Sequence, residues 1–524
     1  MSMANGVLER SFQAELRDVM ERHVHDEMLV GSAGRLTGGE VLRRCETIRD
    51  ELLFAGLDAG EYVACAGNGD IDMMIASMGI MLAGGIPLPM QLFREVESWS
   101  VGLAQSHARF LVAEEACERL VADVMRGFGV EPAVVLIALD GSVLHPRATS
   151  SYEDVEVDPA NIGMVRFTSG STGVPKGILM SYAAVFYNIA ASQTLIGYRD
   201  NGRYLNVVPS CDYVSLVFCI AALMRDEVAV FCPSMMPAAD EVVGMLEQER
   251  ITDMLMITPQ LLALAESGLM AGRDVSHLQR ILYAGQAITV PALRRLISVM
   301  PCELAQFYAS TEAGILAGLT AQDHKSDDDR ILSSAGRPFD LAGTRVAIRN
   351  PATGCDVAQG EIGHIMVSGP GVCPCKLGSD EPFDMVDGWR DMLDLGVIDE
   401  DGYLSVKGRT RDVVMYRGSI VYAQDVEERI ANVPGVCDVC VHPVTHSADG
   451  ERTFAWVVPD QGASLDPNEI MECVEASFGW ASRPAYIEFI DELPKMGSLQ
   501  KVDKRGLRAR AEQMLESWRA GIVD

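Results

Sequence analysis

The sequence predicts an α/β protein. It has a large N-terminal domain with doubly covered, mostly parallel sheets plus a β-rich subdomain, then a small α+β C-terminal domain. Three observations carry that expectation. Between about 160 and 310, short apolar runs alternate with helix-length segments, the pattern of a parallel sheet with helices on both faces. After about 330 the texture turns to short β runs with Gly and Asp turns, as in RVAIRN, GHIMVSGP and GYLSVKGR. Gly, Arg, Thr, Arg and Asp then interrupt the pattern at 408–412, which sets the expected domains at 1–410 and 411–524.

Taken in order, the apolar runs are 162–167, 204–208, 228–231, 254–257, 281–283 and 304–307. Helical segments at 182–195, 214–224, 238–250 and 291–300 separate them. In the C-terminal part a helix is expected at 423–432, strands at 438–442 and 454–458, and a terminal helix. In open parallel sheets ligands bind beyond the carboxyl ends of the strands. Those ends read Thr168-Ser169-Gly170, Pro209-Ser210-Cys211-Asp212, Ala284-Gly285-Gln286 and Tyr308-Ala309-Ser310-Thr311-Glu312. Topology alone therefore gathers hydroxyls, glycines and acids on one rim.

Composition removes several function classes. The 524 residues are 48% hydrophobic and 22% charged, a globular balance sufficient for roughly two to four folding units. With 43 Lys plus Arg against 74 Asp plus Glu, the formal charge is −31. A field of that sign repels nucleic acid and anionic lipid, though a local basic pocket for one small anion is compatible with it. The longest uncharged stretch, 73–93, is broken by Gly84-Gly85 and by Pro87 and Pro89, so a short helix, a turn and a strand are expected and no membrane insertion. The N-terminus carries no secretory pattern, and the 13 cysteines have no disulfide rhythm, which together suit the cytoplasm. Cys437-x-x-Cys440 with His442 has the look of a metal site, but VCDVCVHPV alternates like a strand and lacks a second ligand pair.

The segment that decides the chemistry is FTSGSTGVPKG, residues 167–177. A strand feeds a loop holding Thr168, Ser169, Gly170, Ser171, Thr172, Gly173 and Lys176. Glycines let backbone amides approach an anion, hydroxyls add donors and lysine adds a point charge, a set suited to polyphosphate. The spacing is not that of the G-x-x-x-x-G-K-[ST] loop.

This stretch closely resembles the phosphate-binding signature of the acyl-adenylate-forming (ANL) superfamily, which includes acyl- and aryl-CoA synthetases, nonribosomal-peptide adenylation domains and luciferase. Four further segments resemble that family in the expected order: AQFYASTEAG (305–314), MLDLGVIDEDGYL (392–404), GRTRDVVMYRGSIVYAQDVE (408–427) and LPKMGSLQKVDKRGLR (493–508). The resemblance covers most of the chain. It implies a two-step reaction, in which a carboxylate attacks the α-phosphate of ATP to give acyl-AMP and pyrophosphate, and a thiol then displaces AMP.

The resemblance also implies roles. Residues 168–176 would hold the β- and γ-phosphates, and Gly285 and Gln286 would border the nucleotide. Glu312 would ligate Mg²⁺ with Thr311 beside it on a phosphate oxygen. Tyr308 would stack on adenine, Asp394 would accept the ribose hydroxyls and Arg409 would donate to them. Lys501 would bridge the acyl carboxylate and the α-phosphate. Arg411 stands at the hinge about which the mobile C-terminal domain turns between half-reactions.

The chain departs from the family pattern in places. Gln500 precedes Lys501 where Gly is usual, which makes Lys495 and Lys504 neighbouring candidates. The T-G-D segment reads Met392-Leu393-Asp394, keeping the acid but changing its turn, and Ala309 follows Tyr308 in place of Gly.

The acyl pocket is expected around Asp212, Tyr213, Ser215 and Ala309. Asp212 has two readings, the N-cap of the helix that follows or the partner of an ammonium group on an amino-acid substrate. A small or medium carboxylic acid is the wider expectation, and an amino acid loaded onto a separate carrier protein the runner-up. No carrier segment is expected after the ligase region, so the acyl acceptor is CoA or the phosphopantetheine of a separate carrier protein. Two other classes compete: a catalytically degenerate nucleotide- or acyl-binding relative, and a luciferase-like oxidation of the adenylate.

Overall fold

In the computed structural model, the described residues are 10–67, 71–92, 96–158, 160–168, 176–197, 202–379, 381–417, 419–447, 450–496 and 501–519. A nine-stranded sheet forms the centre of the larger part. Its inner strands run in the order Glu303–Ser310, Arg280–Ala284, Asp253–Ile257, Arg203–Asn206, Val228–Phe231 and Glu27–Gly31, each parallel to its neighbour. Antiparallel strands Gly314–Leu319 and Gly34–Thr37 flank this block. A second, all-parallel sheet takes Ile86–Pro89, Tyr62–Ala66, Phe110–Glu114 and Ala133–Ile137.

Strand–helix alternation produces this layering as expected. The observed helices Tyr182–Ile196, Tyr213–Met224, Ala239–Gln248 and Val290–Val299 lie within one or two residues of the predicted segments at most ends. Helix Gly38–Phe54 starts on a capping box, where the Thr37 side chain and Glu40 satisfy each other's backbone N–H groups. Every residue of helix Ile71–Leu82 is buried, as are nearly all of Tyr182–Ile196 and Tyr213–Met224. That explains their lack of a polar stripe, because a helix covered on all sides is apolar all round. Within the uncharged stretch, residues 73–92 hold the core helix Ile71–Leu82 up to its end and the strand Ile86–Pro89, while residue 93 lies outside the described residues. Among the described residues no helix is long and apolar enough to cross a membrane.

One expectation is corrected. The run at 162–167 does not join the parallel sheet. It becomes the strand Ile162–Thr168, which pairs antiparallel with Lys176–Ser181 in a separate two-stranded sheet. The physical reason is length: residues 169–175 are too few for a parallel crossover, which needs about a dozen or more.

The β-rich part is a four-stranded antiparallel sheet of Arg345–Arg349, Gly363–Ser368, Arg390–Ile398 and Leu404–Arg409. Three residues, Thr410–Asp412, then lead into another sheet, built from Val413–Tyr416, Ser419–Tyr422, Val436–Ser447, Gly450–Pro459 and Tyr486–Phe489. Helices Ala423–Ala431, Pro467–Phe478 and Lys504–Arg519 accompany it.

The Cys437/Cys440/His442 grouping is ordinary sheet chemistry. Cys437 is exposed and Cys440 buried. His442 accepts the Trp456 indole N–H at 2.9 Å and stacks on Phe454, and burial pushes its imidazole down to about 4. All 13 cysteines are free thiols, and no metal-ligating cluster of three or more side chains occurs among the described residues.

Candidate active site

The rim of the central sheet meets the four-stranded sheet through Tyr308 and Asp394. Tyr308 lies at a register shift two residues before the end of its strand and donates its hydroxyl hydrogen to Asp394 Oδ2. Asp394 lies directly across the ladder from Arg409, whose Nε sits 3.0 Å from Asp394 Oδ1. The sheet register therefore fixes this ion pair before any ligand arrives. Arg409 also donates to the Met392 carbonyl at 3.2 Å, and half of its side chain stays in solvent. Asp394 is 5% exposed, and burial raises its carboxyl above the ordinary aspartate value, with Arg409 and the Tyr308 hydrogen bond pulling the other way. The same burial lifts the Tyr308 phenol well above its usual range.

The altered T-G-D segment retains a glycine-like backbone. Leu393 has φ +58°, in the left-handed region, and its side chain is 53% exposed. Its amide donates to Asp391 at 2.7 Å and its carbonyl accepts from Thr410 at 3.3 Å, which hold the turn in place.

Thr311 and Glu312 occupy the tight turn between Glu303–Ser310 and Gly314–Leu319. Backbone contacts fix this turn: the Cys373 amide donates to the Glu312 carbonyl at 2.8 Å, and the Ala313 amide donates to Ser310 Oγ at 3.0 Å. Gly314 closes the turn at φ +68°, where a Cβ would strike the Asn188 side chain at 2.0 Å. Asn188 in turn holds the Ile315 amide, so glycine is required there. Among the described residues, no ion pair or hydrogen bond engages the Glu312 carboxylate. A lone carboxylate fits a hard cation whose other ligands are phosphate oxygens and water, which is the usual way magnesium is held.

Ser169, Gly170, Ser171, Thr172 and Gly173, expected from the sequence to bind phosphate, lie outside the described residues. The strands on either side bring Thr168 and Lys176 opposite each other in register. This hairpin approaches the same rim, since Arg166 Nη1 donates to the Ser310 carbonyl at 3.4 Å. Arg166 also lies 5.0 Å from the centroid of the Tyr213 ring.

On the opposite flank, Gly285 takes φ +96°, and the Thr258 hydroxyl donates to the Gln286 carbonyl at 3.0 Å. Asp212 caps helix Tyr213–Met224 by accepting the Val214 amide at 2.9 Å. Tyr213 is buried, with its hydroxyl lacking a hydrogen-bond partner among the described residues. Ser215 is 1% exposed and hydrogen-bonded to the Cys219 thiol within the helix. Ala309 is half-buried in the strand end beside Tyr308.

Arg411 sits in the connection between two sheets, 70% exposed, with only a 3.9 Å approach to Asp412. Lys501 begins the short strand Lys501–Val502, paired antiparallel with Lys495–Met496. Lys504 is engaged elsewhere, 3.2 Å from Glu427, and that carboxylate raises its ammonium well above the usual lysine value.

Sequence reasoning missed Arg166, Cys373 and the partnership of Tyr308 with Asp394. Arg166 had a signal, being a lone charge inside the apolar run 162–167. Cys373 had none, because its role is to hold a turn through its backbone.

Comparison with known proteins bears on the whole chain. Residues 16–375 match the family described as AMP-binding enzyme, and residues 425–499 match the AMP-binding enzyme C-terminal domain. Feruloyl-CoA synthase of Amycolatopsis sp is 28% identical over 479 residues, covering 91% of this chain and 94% of that protein. The fatty acid–[acyl-carrier-protein] ligase ScoC of Streptomyces coeruleorubidus is 26% identical over 485 residues, 91% of each. Among solved structures, the amide bond synthetase McbA from Marinactinospora thermotolerans superposes with a TM-score of 0.84 at 25% identity, covering 95% of this chain and 99% of that one.

Proposed function

The chain belongs to the AMP-binding enzyme family, and from that premise we propose that it joins a small or medium carboxylic acid to a thiol through an acyl-adenylate. At the coarser level it is an ATP-dependent, AMP-forming ligase of the acyl-CoA or acyl-carrier-protein type. The finer reading has a carboxylate oxygen attack the α-phosphorus of ATP, breaking the bond to the bridging oxygen and releasing pyrophosphate. A thiolate of CoA or of carrier-bound phosphopantetheine then attacks the acyl carbon and AMP departs.

The observation that carries this reading is the convergence on one rim of the Tyr308–Asp394–Arg409 chain and the Thr311-Glu312 turn. Asp394 would accept the ribose hydroxyls, with Arg409 donating beside it and the Tyr308 ring lying against the base. The loop at 168–176, including Lys176, would surround the β- and γ-phosphates, with Gly285 and Gln286 along the nucleotide. Glu312 would hold the magnesium ion that accompanies ATP, with Thr311 on a phosphate oxygen. When bound, that ion would supply positive charge to offset the phosphates. Lys501 would neutralise charge building between carboxylate and α-phosphate. Arg411 would be the hinge between a domain at 1–410 and one at 411–524, letting two chemistries share one site.

The named relatives support both thiol acceptors, since one is a CoA synthase and another an acyl-carrier-protein ligase. The likeness to an amide bond synthetase adds an amine as the rival acceptor. Mass spectrometry of reactions given CoA, a phosphopantetheinylated carrier protein or an amine separates the three. A thioester product supports the proposal, and amide alone would replace it.

A further inference from the structure

We propose that Arg166, seated on Tyr213, is a carboxylate-binding residue on the acyl side of this site, so that the acid is recognised through an anion rather than through an ammonium group. The inference rests on the adenylate-forming reading above and deepens it toward substrate class.

Arg166 differs from several of the protein's other arginines. In a chain of net charge −31, Arg49, Arg203, Arg225 and Arg280 each meet a carboxylate. Arg166, half-buried, has no carboxylate at ion-pair distance among the described residues. Its contacts are the Ser310 carbonyl at 3.4 Å and the face of Tyr213. A guanidinium so placed keeps several N–H donors for a ligand.

The groups around it are donors as well. The Tyr213 hydroxyl is buried without a hydrogen-bond partner among the described residues, in a residue only 8% exposed. Ser210 Oγ, three residues before Tyr213 in the chain, is likewise buried and without a partner among the described residues. Orphaned buried polar groups cost free energy, and a functional site is one of the few settings that explains them. The nearby carboxylate, Asp212, caps the helix by accepting the Val214 amide through one oxygen. A ligand that reaches Arg166 and the Tyr213 hydroxyl meets a cation and a spare hydroxyl, which suits an acceptor-bearing anion.

The location is next to the proposed chemistry. Ser310 immediately precedes Thr311 and Glu312, and the Cys373 thiol feels both Arg166 and Glu312. Phe167, by contrast, turns to the other face of the strand, over Gly102. Two sources could supply the anion: the reacting carboxylate itself, or a second carboxylate on the same acid.

The test uses the full chain and ATP–pyrophosphate exchange, with separate KM values for ATP and for benzoate, hexanoate, succinate and phenylalanine. Arg166→Gln is expected to raise the KM of the accepted acid about 10–100-fold while ATP KM stays within about twofold, and Arg166→Lys to recover part of the loss. Equal loss across monocarboxylates identifies the reacting group, and loss confined to succinate identifies a second carboxylate. Tyr213→Phe checks the same claim without removing a charge. Acid KM should rise severalfold while thermal stability holds or improves, because the orphan hydroxyl is gone. A rise in ATP KM alone would reassign Arg166 to phosphate and overturn the inference. So would unchanged acid KM in both variants, or phenylalanine as the preferred acid. Absence of exchange with every acid in the wild type would instead contradict the adenylate-forming reading, and the inference with it.

Discussion

Tyr308 and Asp394, 86 residues apart in sequence, are joined by a hydrogen bond that ties the end of the central sheet to the neighbouring antiparallel sheet. Arg409 completes the chain from the far side of Asp394. The proposed ribose-binding carboxylate is therefore oriented before nucleotide arrives, which lowers the ordering cost of binding.

Asp394→Asn tests that carboxylate. Burial raises its carboxyl in the folded protein, so that contribution to stability is present below the ordinary aspartate value and lost as pH rises through the raised one. Asparagine removes the buried charge and still accepts from Tyr308. The variant should keep its melting temperature at neutral pH while AMP affinity, read by calorimetry, falls about 10–100-fold. Wild-type affinity should weaken as pH drops toward the raised value, and the variant's should stay flat.

Leu393 offers a stability test. It holds φ +58° with its side chain half in solvent. Left-handed backbone costs a non-glycine residue roughly 1–2 kcal/mol, offset in part by the greater freedom glycine has when unfolded. Leu393→Gly should therefore stabilise the protein by up to about 1 kcal/mol in denaturant titration, without lowering nucleotide affinity.

Glu312→Gln should lower pyrophosphate exchange by about 100-fold or more and shift the magnesium requirement upward, because the carboxylate is the one charged ligand offered by that turn. The turn itself should persist, since the Cys373 amide and Ser310 hydroxyl hold it through backbone atoms. Unchanged circular dichroism with lost exchange is the expected pair of results.

Arg411→Pro probes the hinge. The residue is 70% exposed and lies in the three-residue link between two sheets, so its substitution removes little packing. Fixing φ there should leave one half-reaction near wild type and slow the other by at least about tenfold, comparing pyrophosphate exchange with thioester formation.

Much of this was legible in the residues. The alternation between 200 and 310 foretold the parallel sheet because each strand and helix there is long enough to show its own period. The run at 162–167 misled because a strand looks the same locally whether its partner is parallel or antiparallel, and only the short loop that follows tells them apart. The acids and hydroxyls of the rim could be read as motifs. Their partnerships could not: the pairing of Tyr308 with Asp394 depends on how two sheets meet, and the lack of a carboxylate beside Arg166 among the described residues depends on its neighbours in space. The left-handed backbone at Leu393 was hidden for a related reason, since leucine carries no sign of a turn that favours glycine.

The most direct measurement is ATP–pyrophosphate exchange by the purified full chain with Mg²⁺ across fatty, aryl and amino acids, with Lys501→Ala run alongside. The account predicts exchange dependent on a carboxylic acid and reduced at least about 100-fold in the variant, as expected when a charge-stabilising group is removed. No exchange with any acid despite measurable ATP binding would contradict it and favour a nucleotide-binding relative without ligase chemistry.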